Sequence, residues 1–143
     1  PTQITLRAVL GPQEDLFTEE GIASFLNTEY LVTPANDRMG YRLEGEEITH
    51  KAGADIVSDG IVMGAVQVPS SGQPIILMAD RQTTGGYTKI ATVVTADLPL
   101  LAQAQAGTKI RFERVSVEEA QQLLHGFHER LQAFARTRRP VNG

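Results

Sequence analysis

The alternation of apolar and polar residues predicts a chain built mainly from short strands. Residues 4–10 alternate before running apolar, and Gly11-Pro12 ends the segment, as is typical of a strand. Further strands, bounded by glycine, proline or polar turns, are predicted at residues 29–33, 39–44, 61–68, 75–79, 89–95 and 109–115. Residues 75–79 are continuously apolar, so we expect that strand to be buried on both faces.

Helices are predicted at three places between and after these strands. Thr18 is a candidate N-cap, followed by acidic residues that suit the positive end of a helix dipole. Asp97 is placed to cap a short helix that ends near Gly107. Ser116 and Glu119 form a capping box before a long helix whose apolar stripe we expect to be core or an interface: Ala120, Leu123, Leu124, Phe127, Leu131 and Phe134. The fold class expected is mainly β with flanking helices, a largely antiparallel barrel rather than a sandwich.

The composition of the chain limits which classes of protein and of binding partner fit the sequence. The 143 residues fit one domain spanning residues 1–143. Cysteine is absent, which excludes disulfides and thiolate chemistry and fits a cytoplasmic location. The net charge of −4 argues against nucleic-acid binding, and no apolar run is long enough to span a membrane. The basic residues from Arg136 to Arg139 are read as a solvated helix end.

Residues 80–87 carry the strongest signal of a binding or catalytic site. They lie between two predicted buried strands and hold a carboxylate, a guanidinium, an amide, hydroxyls and two glycines. Arg81 can bind a carboxylate or phosphate, and Asp80 can transfer a proton. The alternative is a tight hairpin of Thr83, Thr84, Gly85 and Gly86, with Asp80 and Arg81 paired across it, and the pattern alone leaves both readings open.

Other candidate groups are weaker. Residues 36–45 begin with a polar turn that includes Arg38, and a turn with a strand-edge arginine explains them well. In residues 58–69, Ser58 and Asp59 could face a ligand, while Gln67 needs a partner if it is buried. His125 and His128 have a spacing that metals use, but a solvent-exposed pair is favoured and no metal site is predicted.

Together these clusters resemble one family, the carboxyltransferase domain, subdomains A and B, also called allophanate hydrolase subunit 2. The resemblance rests on residues 36–45, 58–61, 64–69, 72–74 and 80–87 and runs from about Val9 to about Glu119. The family includes the C subunit of the bacterial ATP-dependent 5-oxoprolinase, the KipA proteins and the carboxyltransferase region of urea amidolyase. It implies a cyclophilin-like β-barrel. Family members are longer, so we expect this chain to correspond to the C-terminal half of a longer polypeptide, and Thr88 replaces a usual proline.

The resemblance implies a hydrolase that works in a heteromeric complex. With the A and B subunits of 5-oxoprolinase, such a chain takes part in the ATP-dependent opening of 5-oxoproline to glutamate, and the isolated chain need not be active. ATP would be bound elsewhere in the complex, because no ATP loop is present here. One alternative is a KipA-like protein that binds a KipI-like kinase inhibitor without turnover. Another is carboxyl transfer to urea, which would involve biotin.

On this reading the polar residues line a pocket at the partner interface. Arg81 or Arg38 would bind the carboxylate of the small-molecule substrate. Gln82 and the Gly85 and Gly86 amides would stabilise negative charge on a carbonyl oxygen. The proton-transfer group, or the group that orients the arginine, would be Asp80, and Thr83 and Thr84 would complete the pocket.

Overall fold

The computed structural model describes residues 2–35, 39–51, 55–60, 62–78 and 84–137, with the backbone alone at 55–60, 84 and 85. The strands in this part are β1 (Gln3–Leu10), β2 (Tyr30–Val32), β3 (Gly40–Glu44), β4 (Asp55–Gly60), β5 (Ala65–Val68), β6 (Ile75–Leu77), β7 (Thr84–Val93) and β8 (Lys109–Arg114). The α-helices are α1 (Glu19–Asn27), α2 (Leu98–Leu101) and α3 (Val117–Thr137).

Seven of the described strands form a closed barrel. Their order is β1-β8-β2-β3-β6-β5-β7, and the pairing of β7 with β1 closes the ring. Strand β4 lies outside the ring and pairs with the first half of β7, from Thr84 to Tyr87. The pair β1–β8 is parallel and the other described pairs are antiparallel. The predicted β-barrel with flanking helices is therefore confirmed.

Every second residue of β1 and β8 points into the barrel, and these inward-facing side chains form one side of its core. Ile4 pairs with Ile110, and Leu6 with Phe112, in the parallel register. All four side chains are buried, so two apolar rows lie next to each other, and full burial of one such side chain is worth about 1.5–3 kcal/mol. Phe25 of α1 stacks on Phe112 with ring centroids 4.4 Å apart. Helix α1 is thereby packed against the barrel by the apolar face that its sequence predicts.

Two predicted strands differ from the structure. Of the apolar run at residues 75–79, Ile76 is fully buried, whereas Ile75 and Leu77 are only half-buried. The expectation of burial on both faces is wrong there because one face of a single antiparallel layer points away from the core. The strand predicted at 61–68 begins only at Ala65, since Gly64 has a positive φ of 92° and makes a turn. Strand β4 was not predicted.

Asp97 precedes α2 but does not cap it. Its side chain makes no cap hydrogen bond. Instead the carboxylate accepts hydrogen bonds from the backbone N–H, Nε and Nη2 of Arg7 on β1, at 2.8, 3.0 and 2.6 Å. The side-chain hydrogen bond to Asp97 raises the pKa of Arg7. The short helix is therefore tied to the barrel by an ion pair between residues far apart in the sequence.

Helix α3 begins as predicted but does not enter the core. Ser116 Oγ accepts from the Glu119 N–H at 3.0 Å, and Glu119 Oε1 accepts from the Ser116 N–H at 3.1 Å, which confirms the capping box. No residue of α3 is buried, so the core reading of its stripe is wrong. Leu131 and Phe134 are at least half exposed. No helix among the described residues is long and apolar enough to cross a membrane.

Candidate functional site

The segments that hold the predicted site residues leave the barrel from neighbouring strand ends. Gly40 of β3 pairs with Leu77 of β6, and just beyond this pair the Met78 N–H donates to the Met39 carbonyl at 3.0 Å. Residues 36–38 precede Met39, and residues 79–83 follow Met78. Both polar segments therefore start at the same end of the barrel. The predicted site residues within them lie outside the described residues: Arg38, Asp80, Arg81, Gln82 and Thr83.

The third sequence cluster reaches this end as well. The Gly64 N–H donates to the Leu77 carbonyl at 2.7 Å, so the turn before β5 contacts the end of β6. Gly60, the last residue of β4, pairs with Thr84. The turn at Gly64 therefore lies at the same barrel edge as Met39 and Met78, whereas Thr84 precedes Thr88, which pairs with Val68 at the other end of β5. Strand ends are rigid supports, and such an edge is a suitable place for a site.

Thr84, Gly85 and Gly86 lie in strand β7 rather than in a hairpin turn. Gly85 pairs with Asp59 of β4, and β6 does not pair with β7 because β5 lies between them. The tight-hairpin alternative is therefore wrong for these residues. Successive N–H groups of an extended strand point to opposite sides, so the amides of Gly85 and Gly86 cannot both face one ligand atom.

Apolar side chains are exposed at Met39 and around the Gly64 turn, and also at Tyr87 in the first half of β7. Met39, Val62, Met63 and Tyr87 are each between 39% and 58% exposed. They flank the segments that carry the polar candidates. Exposed apolar side chains near polar residues are common around binding sites.

A buried amide and a buried lysine lie next to each other in the strands that lead to this edge. Gln67 of β5 and Lys89 of β7 are direct cross-strand partners, and they are 6% and 3% exposed. Within the described part of the chain, neither Gln67 Nε2 nor Lys89 Nζ has a hydrogen-bond partner. The sequence indicated that a buried Gln67 needs a partner. It did not single out Lys89, whose only signal is a charge inside an otherwise apolar stretch of strand.

The histidines do not form a cluster with this edge. His50 Nε2 lies 2.9 Å from the Val68 carbonyl and 3.0 Å from Thr88 Oγ1, and its ring packs on Phe17 at 4.6 Å. Because a carbonyl only accepts, Nε2 carries the proton and His50 links its loop to the barrel. His125 and His128 are exposed on α3, as expected. His125 contacts Glu129 at 3.2 Å.

The closed barrel defines the class of domain, and comparison with known proteins gives its family. Residues 1–114 match the model of the carboxyltransferase domain, subdomain A and B. The chain therefore belongs to the carboxyltransferase-domain family, subdomains A and B.

Proteins similar to this chain include two 5-oxoprolinase C subunits. The chain is 45% identical to the 5-oxoprolinase C subunit of Haemophilus influenzae over 123 residues, which is 86% of this chain and 40% of that protein. It is 41% identical to the Escherichia coli 5-oxoprolinase C subunit over 115 residues, 80% of this chain and 37% of that protein. The chain thus spans about two fifths of the length of these curated relatives.

A solved structure is similar as well. The K. lactis urea amidolyase is similar with a TM-score of 0.85 and 26% sequence identity, over 93% of this chain and 9% of that one. Its similarity extends over nearly the whole chain and includes the barrel.

Proposed function

We propose that this chain acts as part of the C subunit of a 5-oxoprolinase, which opens 5-oxoproline to glutamate with hydrolysis of ATP. The observation that carries the proposal is the identity of 45% and 41% to two 5-oxoprolinase C subunits. The name of those relatives supports a complex with other subunits, for which the A and B subunits are the proposed partners. ATP would be bound in that complex, and the reaction would take place in the cytoplasm.

The geometry supports a site that another chain or segment completes. The edge where β3 begins and β6 ends carries exposed apolar side chains, Met39 and Met63 among them, at 44% and 39% exposure. Exposed apolar surface next to polar groups is typical of an interaction site. The chain also spans only 40% of the Haemophilus relative. We therefore place the partner at this edge.

The proposed roles are those that the chemistry of each side chain allows. Arg81 or Arg38 binds the 5-oxoproline carboxylate through its planar guanidinium. Gln82 and one amide of the Gly85-Gly86 pair stabilise negative charge on the lactam oxygen as the ring opens. Asp80 transfers a proton or orients Arg81. Thr83 and Thr84 contribute hydroxyls to the pocket.

The test is the 5-oxoproline-dependent release of ADP by the complex that this polypeptide forms with its partner subunits. Arg81→Ala and Gln82→Ala should each lower kcat/KM by about 100-fold or more, as loss of a group that stabilises the transition state does. Arg111→Ala, at a half-exposed arginine on β8, is the matched control and should leave the rate unchanged. Complexes that assemble normally and keep full activity with either site variant would refute these roles.

A second candidate is carboxyl transfer to urea. The TM-score of 0.85 to the K. lactis urea amidolyase favours it. In that case biotin on another protein would deliver the carboxyl group. Turnover of urea, with bicarbonate, ATP and a biotin-bearing partner but without 5-oxoproline, would select this reading. Assembly with a kinase inhibitor and no turnover of either substrate would select the regulatory, KipA-like one.

A further inference from the structure

The buried pair Gln67 and Lys89 belongs to a row of side chains on one face of the sheet. Arg42 pairs with Ile75, Ile75 pairs with Gln67, and Gln67 pairs with Lys89. Directly opposed residues of an antiparallel sheet point to the same face, with Cβ atoms about 5 Å apart. The row therefore runs from an exposed arginine on β3 to a buried ammonium group on β7. Gln67 is the direct cross-strand neighbour of that lysine.

The same face of β7 becomes more exposed towards the start of the strand. Side chains two residues apart in a strand share a face, so Lys89 lies on the side of Tyr87 and Gly85. Tyr87 is 43% exposed, whereas Lys89 is 3% exposed. A small molecule would therefore reach the lysine from the side of Tyr87.

Burial without a partner is costly for both groups. An ammonium group removed from water needs a counter-charge or hydrogen bonds to its three N–H donors. Within the described residues Lys89 Nζ has neither, and Gln67 Nε2 also lacks an acceptor. The two atoms without a partner, Lys89 Nζ and Gln67 Nε2, are both hydrogen-bond donors, so neither can accept a hydrogen bond from the other. What would satisfy both at once is a group with two acceptor oxygens and a negative charge, which describes a carboxylate.

We propose that Lys89 and Gln67 form a binding site for the carboxylate of a small organic acid. One carboxylate oxygen accepts from Lys89 Nζ and the other from Gln67 Nε2. The proposal rests on the proposed function only for the identity of the acid, which would be 5-oxoproline. In that case Lys89 holds the carboxylate, and Arg81 and Arg38 are left to act on the lactam or at the partner interface.

The direct test uses the fact that the chain has three lysines, Lys51, Lys89 and Lys109. With lysine labelled by ¹³C, NMR of the purified protein gives one side-chain Cε signal for each, and Lys→Arg variants assign them. Titration with 5-oxoproline, and separately with acetate and with the uncharged amide of 5-oxoproline, should shift the Lys89 signal with the two acids alone. Lys51 and Lys109 are both exposed and serve as internal controls.

Variants separate ligand binding from a structural role. Lys89→Met keeps the length of the side chain, and it should weaken the binding of each acid, measured by titration calorimetry, at least tenfold. It should also raise the Tm of the free protein, by roughly 5 °C, because an unpaired buried charge is removed. Lys109→Met is the control. Lys89→Arg keeps the charge and should retain part of the binding. A lower Tm for Lys89→Met with unchanged acid binding would overturn the proposal.

The outcomes also distinguish this proposal from the proposed function. If acetate shifts the Lys89 signal and 5-oxoproline does not, the carboxylate site stands and 5-oxoproline is excluded as its ligand. If no acid shifts the signal while the complex hydrolyses ATP on 5-oxoproline, the carboxylate site is refuted and the enzyme activity stands. A signal that moves only when partner subunits are added would assign the site to a carboxylate side chain of the partner and would refute a small-molecule ligand.

Discussion

Two charged groups are buried in this barrel to nearly the same degree, and their surroundings differ completely. Asp97 is 2% exposed and accepts three hydrogen bonds from Arg7. Lys89 is 3% exposed and its Nζ has no partner among the described residues. A buried charge that is fully hydrogen-bonded contributes to the fold in the free protein. One that is not satisfied lowers the stability of the free protein and gains its partner only on binding.

The difference arises from which element faces each group. Asp97 follows the end of β7, where β1 presents the backbone N–H and the guanidinium of Arg7 together. Lys89 faces β5, where its direct neighbour is Gln67. An amide has an acceptor oxygen, but the Nε2 of Gln67 is left without an acceptor of its own among the described residues. The ion pair of Asp97 with Arg7 is satisfied within the protein, whereas the N–H donors of Lys89 and Gln67 are left for a ligand.

The largest effect on stability is expected from breaking the ion pair between Asp97 and Arg7. Asp97→Ala removes the acceptor of three hydrogen bonds and leaves a half-buried guanidinium and a backbone N–H without it. We expect the free energy of unfolding to fall by about 3 kcal/mol, measured by urea denaturation. Asp15→Ala, at an exposed aspartate, is the control. An equal loss in both variants would show that the buried ion pair contributes little.

A smaller effect on stability is expected from giving Lys89 a charged partner. Gln67→Glu places a carboxylate directly across from Lys89. The two residues can then form an ion pair like that of Asp97 with Arg7. We expect the free energy of unfolding to rise by about 1–2 kcal/mol and the binding of small acids to be lost, as measured by denaturation and by titration of the same protein. A decrease in stability would mean that the two side chains do not meet. Gln67→Met, which supplies no charge, should not reproduce the full gain.

The smallest effect on stability is expected from removing an uncharged hydrogen-bond acceptor, the hydroxyl that caps the N-terminus of α1. Thr18 Oγ1 accepts the Gly21 N–H at 2.9 Å and caps α1. Thr18→Ala should lower the free energy of unfolding by about 1 kcal/mol, as seen in the thermal unfolding midpoint. Thr18→Ser keeps the acceptor and should lie close to the parent protein. If serine and alanine behave alike, the cap bond itself has no measurable role.

Local patterns predicted the local parts of this molecule. The N-cap at Thr18 and the capping box at Ser116 depend on residues three apart, and the structure shows both. Asp97 looked like a cap by the same local rule, but its partner is ninety residues away, where no local pattern reaches. The parallel pairing of β1 with β8 and the pairing of β4 outside the ring are long-range in the same way.

The candidate site shows the same limit. The clusters around residues 36–45, 58–69 and 80–87 were recognised from their polar residues and turns, and the structure brings Met39, Gly64 and Met78 together at one barrel edge. Lys89 was missed because its burial depends on the register of β7 against β5. A single charge in an apolar strand is normally a solvent-facing residue. The roles of Arg38, Asp80, Arg81, Gln82 and Thr83 stay predictions, since these residues lie outside the described part of the chain.

Strand β7 also has a consequence for how the molecule opens. Its second half pairs with β1 on one edge and with β5 on the other, whereas residues 84–87 pair with β4 alone among the described strands. Amide hydrogens near Val93 should therefore exchange with deuterated solvent only when the whole barrel unfolds, and those near Gly86 by local opening. One strand would then connect the most persistent part of the fold to the part that must admit a ligand, with Lys89 at the boundary between them.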